Sequence, residues 1–210
     1  MRPALLVIAK APAPGRVKTR LSPPCSPEQA AALATAALAD TLAAVAALPG
    51  RRVLVLDGAP GDWIPPGFEV VAQRGDGLAE RLAAAFADAG GPAVLVGMDT
   101  PQITPALLDR AVDGLGSAGA VFGPAEDGGF WLIGLQQADP RVFAGIPMSV
   151  ESTGACQRAR LGELGLDVAE VPVLRDVDTI EDARAVAAAA PYGGFAAALA
   201  HVEAALEVAA

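Results

Sequence analysis

Lys10 and Lys18 are the only lysines in this chain, and every other basic residue is an arginine. Both stand in one run, K-A-P-A-P-G-R-V-K-T-R-L from Lys10 to Leu21, and no carboxylate precedes Glu28. An ammonium is a compact, strongly hydrated point charge, whereas a guanidinium is a planar fork, so the two are not equivalent on phosphate. Two lysines kept in one acid-free loop therefore point to a polyphosphate. Pro12, Pro14 and Gly15 restrict the loop and let backbone amides approach an anion. Lys10, Arg16, Lys18, Thr19 and Arg20 supply charge and donors. The Gly-x-x-x-x-Gly-Lys-Thr/Ser spacing of a Walker loop is absent.

Three further segments carry carboxylates. In Gly97-Met98-Asp99-Thr100-Pro101, Asp99 follows an apolar run and is suited to hold Mg²⁺ against nucleotide phosphates, since that ion takes only one or two protein carboxylates. Thr104 already supplies a cap for the next helix, which leaves Asp99 for other work. In Leu174-Arg175-Asp176-Val177-Asp178-Thr179, Asp178 either completes a two-carboxylate metal site with Asp99 or strengthens a helix cap, and Asp176 is its rival as second ligand. In Gly123 to Phe130, Glu126 or Asp127 is placed to act as general base or acceptor contact. Gly128 and Gly129 beside them suggest a loop that meets substrate backbone-first. His201 is the one histidine and falls in an alanine-rich stretch; there is no zinc-like cluster and no Ser-His-Asp set.

The elements that must position these groups alternate between strand-like and helix-like, the pattern of a mostly parallel sheet flanked by helices. Strands are expected at 4–9, 52–56, 68–71, 93–97, 120–122, 130–135 and 168–173, with helices at 26–48, 78–89, 104–115 and 151–164. Ser26-Pro27-Glu28-Gln29 and Thr179-Ile180-Glu181-Asp182 read as capping boxes, and a last helix runs from about Gly194. Each polar segment then follows a strand, where open α/β sheets bind ligands.

Composition narrows the classes. A chain of 210 residues reads as one α/β domain, able to bury roughly 70% of its unfolded surface without metal or disulfide. Two distant cysteines, Cys25 and Cys156, read as free thiols in a reducing compartment. The chain is 53% hydrophobic, largely through alanine, and no apolar run approaches a membrane span. The opening segment lacks a signal-peptide pattern, so a cytoplasmic location is expected. The net charge of −9 argues against nucleic acid or an anionic membrane as partner.

Taken in order, A-K-A-P-A-P-G-R-V-K-T-R-L, G-M-D-T-P, V-F-G-P-A-E-D-G-G-F-W-L-I-G-L and L-R-D-V-D-T-I-E-D resemble a family of the glycosyltransferase-A superfamily catalogued as a domain of unknown function. Its members are commonly labelled glycosyltransferases or radical-SAM/selenodomain-associated transferases, and the likeness spans Ala9 to about Ala183. The motifs are also similar to those of 2-phospholactate/phosphoenolpyruvate guanylyltransferases. The resemblance implies a Rossmann-like GT-A (nucleotide-diphospho-sugar transferase) fold. It further implies a metal, Mg²⁺ or Mn²⁺, on Asp99 and Asp178, phosphates on Lys18 and Arg20, and base or sugar recognition in the Gln73–Arg81 stretch, Gln73 and Gly77 included. Met98, Phe130-Trp131 and Met148 depart from those relatives, the latter two where the acceptor is chosen. The reaction placed first is nucleotidyl transfer from a nucleoside triphosphate to a small phosphate, phosphonate or similar oxyanion, because the basic loop suits departing pyrophosphate. The alternative is glycosyl transfer from a nucleotide-diphospho-sugar, with Asp127 or Glu126 as base. The third is a non-catalytic nucleotide-binding protein, and an oligomer is compatible with each.

Overall fold

The computed structural model describes residues 2–209. Strands β1 (Ala4–Lys10), β2 (Arg52–Asp57), β3 (Glu69–Ala72), β4 (Ala93–Val96), β5 (Ala120–Pro124), β6 (Phe130–Leu135) and β7 (Val168–Glu170) form one sheet in the order β3-β2-β1-β4-β6-β5-β7. All pairings are parallel except those of β6, which runs antiparallel to both β4 and β5. Six helices cover it: α1 (Pro27–Ala46), α2 (Leu78–Ala89), α3 (Pro105–Ser117), α4 (Thr153–Glu163), α5 (Ile180–Ala189) and α6 (Gly194–Ala209).

Successive side chains of a strand point to opposite faces, and here both faces are dry. Leu5, Val7 and Ala9 of β1 join Leu54 and Leu56 of β2 in a core shared with α1 and α3. Ala4, Leu6, Val53 and Val55 face the other way, onto Leu82, Ala85 and Phe86 of α2. Covering both faces explains why these strands read as unbroken apolar runs.

The caps form as their sequences dictate. Ser26 accepts from the Gln29 amide at 3.2 Å while Gln29 Oε1 takes the Ser26 amide at 2.7 Å. Thr179 and Asp182 make the equivalent box on α5, and Thr104 caps α3 by accepting from Leu107 N at 3.2 Å. Two expectations need adjustment. The seventh strand ends at Glu170, and Pro172, which has no amide to give, lies in the extended segment beyond it. The alanine-rich α1 is, contrary to the composition reading, long and apolar enough by length and composition to cross a membrane, with mean hydropathy 1.4. Its apolar stretch is 56% buried in the fold: one face meets the sheet through Ala34, Leu38 and Leu42, and the other meets α5 and α6 through Ala30, Leu33 and Ala37. Asp40 on α1 accepts from Gly194 N at 3.0 Å and Phe195 N at 2.8 Å, supplying the N-terminal partners of α6.

Candidate active site

Val7 of β1 pairs in parallel with Val96 of β4, so the loops leaving these strands emerge side by side. The Lys10 amide donates to Met98 Sδ at 3.2 Å, tying the two strand ends together. After Pro14 and the left-handed Gly15 (φ 72°), the chain turns at Lys18, whose own φ of 49° is unusual for a residue with a side chain. This turn sends the Lys18 side chain inward, where it is only 7% exposed. Its ammonium lies 2.5 Å from Asp99 Oδ1 and 3.5 Å from Asp178 Oδ1, and it donates to the Val177 carbonyl. Arg20 closes on Asp178 Oδ2 at 3.1 Å. The segment bearing Asp178 is held over the strand ends by Val177 N donating to Asp99 O (2.9 Å) and by Trp131 Nε1 donating to Pro172 O (3.0 Å).

These loops border a cleft of about 930 Å³, into which Lys10, Arg16, Lys18, Thr19, Arg20, Gln73, Asp99, Asp127, Gly129 and Asp178 all project or line the wall. Pro14, Gly15, Gly77, Glu126 and Gly128 do not line it. Gly77 is the N-cap residue of α2. Glu126 pairs with Arg175 at 2.6 Å. The close backbone approach at Gly128 is to the chain itself: a Cβ there would stand 2.0 Å from the Glu151 carbonyl oxygen, and Gly154 N donates to Gly128 O at 2.7 Å. Gln73 spends its amide on strand ends, donating to Ala9 O (2.8 Å) and Val55 O (3.1 Å) while accepting from Arg81.

Arg81, which closes the stretch expected to recognise base or sugar, is oriented by Asp57 at 3.1 Å and lines the cleft beside Gln73. The structure adds residues that sequence reasoning passed over: Ser149, Val150 and Glu151 line the cleft next to Met148. Ser149 has φ 62°, and the turn is pinned by Thr153 Oγ1, which donates to Pro147 O (2.8 Å) and accepts from Val150 N (3.1 Å). Of this segment the resemblance singles out Met148 alone. Thr100 also borders the cleft, 1% exposed, with no hydrogen-bond partner for its Oγ1.

The electrostatics are uneven. Asp178 is released from capping duty because Asp182 fills the box. Burial, then the charges of Asp99 and Asp127, push the Asp176 carboxyl up to about 7. Among the described residues no three His, Cys, Asp or Glu side chains form a ready-made metal cage. Mg²⁺ does not need one, since it keeps waters and phosphate oxygens around one or two carboxylates. Asp99 and Asp178 already share one cation, the Lys18 ammonium, and Asp176 carries unrelieved repulsion. The residues fit a divalent cation.

Solved structures of other proteins share this arrangement of strands and helices. The chain is similar to a protein from Desulfovibrio desulfuricans G20 provisionally described as a nucleotide-diphospho-sugar transferase. The two are 28% identical over 97% of this chain and 96% of that one, with a TM-score of 0.89. At the level of fold it is similar to a cytidylyltransferase from Leptospira borgpetersenii serovar Hardjo-bovis (16% identity, 87% and 83% covered, TM-score 0.57). It is likewise similar to CMP:2-keto-3-deoxy-manno-octonic acid synthetase complexed with CTP (14%, 90% and 99% covered, TM-score 0.56). The fold is that of the nucleotide-diphospho-sugar transferases. No curated protein matches by sequence. Residues 30–150, more than half of the chain and including Asp99 and Asp127, match one family directly, and the chain belongs to that family, described as "Uncharacterized protein conserved in bacteria (DUF2064)".

Proposed function

We propose that this protein is a transferase that takes a nucleotide-activated donor, in the first instance a nucleotide-diphospho-sugar, and passes the sugar to a small acceptor. One observation carries the reading: a single cleft is bordered by the cations of the β1 loop, by the Asp99–Lys18–Asp178 cluster and by further carboxylates. The description of the Desulfovibrio protein supports the same class.

In this reading Lys10, Arg16 and Arg20 bind the diphosphate oxygens, and Gln73 and Arg81 border the nucleoside end. Asp99 and Asp178 would hold the divalent cation, which when bound neutralises charge on the leaving diphosphate. Asp127, whose Oδ1 is oriented by the Gly129 amide at 2.8 Å, accepts the proton of the attacking acceptor group. The bond from the sugar's anomeric carbon to the diphosphate oxygen breaks and a bond from that carbon to the acceptor forms. The nucleoside diphosphate leaves with the electron pair.

Nucleotidyl transfer, the reaction placed first from the sequence, keeps one specific support, the number of cations around the loop, enough for a triphosphate. Product analysis separates the two. Release of nucleoside diphosphate from a nucleotide-sugar supports glycosyl transfer; release of pyrophosphate from a nucleoside triphosphate replaces it with nucleotidyl transfer. Turnover of neither donor class, across a panel of both with Mg²⁺, sinks the proposal.

A further inference from the structure

We propose that the acceptor is a neutral or cationic molecule, an alcohol or amine carried on an apolar body, rather than a phosphate or carboxylate. The assignment rests on the transferase reading above and names the substrate class of that same cleft.

Every cation that borders the cleft comes from the β1 loop (Lys10, Arg16, Lys18 and Arg20) or from α2 (Arg81), and Lys18 is already paired with Asp99 and Asp178. Asp127 and Glu151 also line the cleft, and beyond Arg81 none of the described residues lining it is a lysine or arginine. The nearest arginine of that region, Arg175, does not line the cleft and is engaged by Glu126 at 2.6 Å and Asp182 at 3.4 Å. An anionic acceptor would meet the Asp127 and Glu151 carboxylates with a donor diphosphate already present, whereas an ammonium or a hydroxyl meets partners.

Apolar surface accompanies the acids. Phe130 and Met148 are half-buried and Val150 is 49% exposed, all within the same cleft. The Thr153 hydroxyl pins the 147–150 turn, so Met148 and Val150 are presented on a fixed backbone rather than a loose loop. Thr100 is an independent mark of a missing polar partner. Its hydroxyl is buried at the cleft with nothing to bond, and such a group is costly unless a ligand completes it. Acidic partners for a polar head and an apolar wall for its body are together the complement of an amphipathic amine or alcohol.

The test is a set of probes with one body and four heads: n-hexylamine, 1-hexanol, hexanoate and n-hexyl phosphate, measured by calorimetry at low ionic strength with Mg²⁺ and UDP or GDP in excess, so that the diphosphate-binding cations are occupied. Hexylamine is expected to bind tightest and hexanol next. Hexyl phosphate should be at least about tenfold weaker than the amine, a gap of about 1.4 kcal/mol. Asp127→Asn with Glu151→Gln should erase the preference for the amine; the asparagine retains an oxygen for the Gly129 amide, so the loop is kept. Met148→Ala should weaken the whole series alike. Hexyl phosphate binding as tightly as hexylamine overturns the assignment, as does an amine preference that survives the double variant, or a Met148→Ala protein with unchanged affinities. Mg²⁺ with UDP or GDP is titrated separately. Nucleotide binding with a reversed head-group order defeats the acceptor class alone. An intact order with no nucleotide bound defeats the transferase reading and leaves the ligand class standing.

Discussion

Carboxylates in this molecule do two opposite things. At helix starts, Asp40 and Asp182 accept backbone amides, Asp40 for α6 and Asp182 within the α5 box. Each satisfies donors that would otherwise lack partners, which stabilises the fold. At the strand ends, Asp99, Asp176 and Asp178 crowd around one ammonium, with Asp127 near enough to raise the proton affinity of Asp176. That arrangement works against folding and is suited to a charged ligand. The residue type is the same; what differs is whether the partner belongs to the chain.

Four substitutions can break or sharpen the contrast. Asp99→Asn should cut turnover by about 1000-fold, on the order of 4 kcal/mol of barrier, with little loss of melting temperature. A variant equally active would remove Asp99 from the site. Asp176→Asn should stabilise the ligand-free protein. The folded pKa near 7 lies above the ordinary 3.8, so the fold holds a proton that the unfolded chain releases. Stability from this group therefore falls as pH rises from about 4 to about 7 and stays low above it. The gain on substitution should be on the order of 3 kcal/mol at pH 8, raising Tm by roughly 6–12 °C, and about a third of that at pH 5. Melting curves that show the larger gain at pH 5 would refute this account of Asp176. Lys18→Met should cost about 2 kcal/mol in EDTA, since two carboxylates lose their shared counter-charge. It should also tighten Mg²⁺ binding in calorimetry without nucleotide, and weaker binding would show that lysine and metal do not compete. Asp40→Ala should cost about 1 kcal/mol, a fall in Tm of about 2–4 °C, while leaving turnover unchanged. Lost activity there would mean that the start of α6 and the cleft are coupled.

Much of this was legible because it is local. α2 spans Leu78–Ala89 and β6 spans Phe130–Leu135, both as their patterns predict, and both capping boxes form at Ser26 and Thr179. The meeting of Lys18 with Asp99 followed from a general rule about strand ends rather than from any local pattern. Other features depend on contacts no local pattern carries. Gly128 serves a close approach to Glu151, not to substrate, because the loop between β5 and β6 abuts the start of α4, where Gly154 N donates to Gly128 O. The 147–153 wall carries no motif; its place in the cleft comes from the Thr153 bonds and the neighbouring 128–130 backbone. Gln73 was expected at the nucleotide, but its amide is taken by the carbonyls of Ala9 and Val55, leaving Arg81 as the more available group beside it.

The position of α1 between two layers has a consequence for how the molecule can change. Ala30 and Ala37 sit against α5 and α6 while Ala34 and Leu38 sit against the sheet, so added bulk has no free side toward which to move. At the three alanines a methyl group is the thickness of the spacer. Enlarging one would lever α6 outward and pull its first amides off Asp40. The 147–153 turn has no such constraint at Val150, which is 49% exposed, so side chains can be exchanged there without disturbing the inner helix.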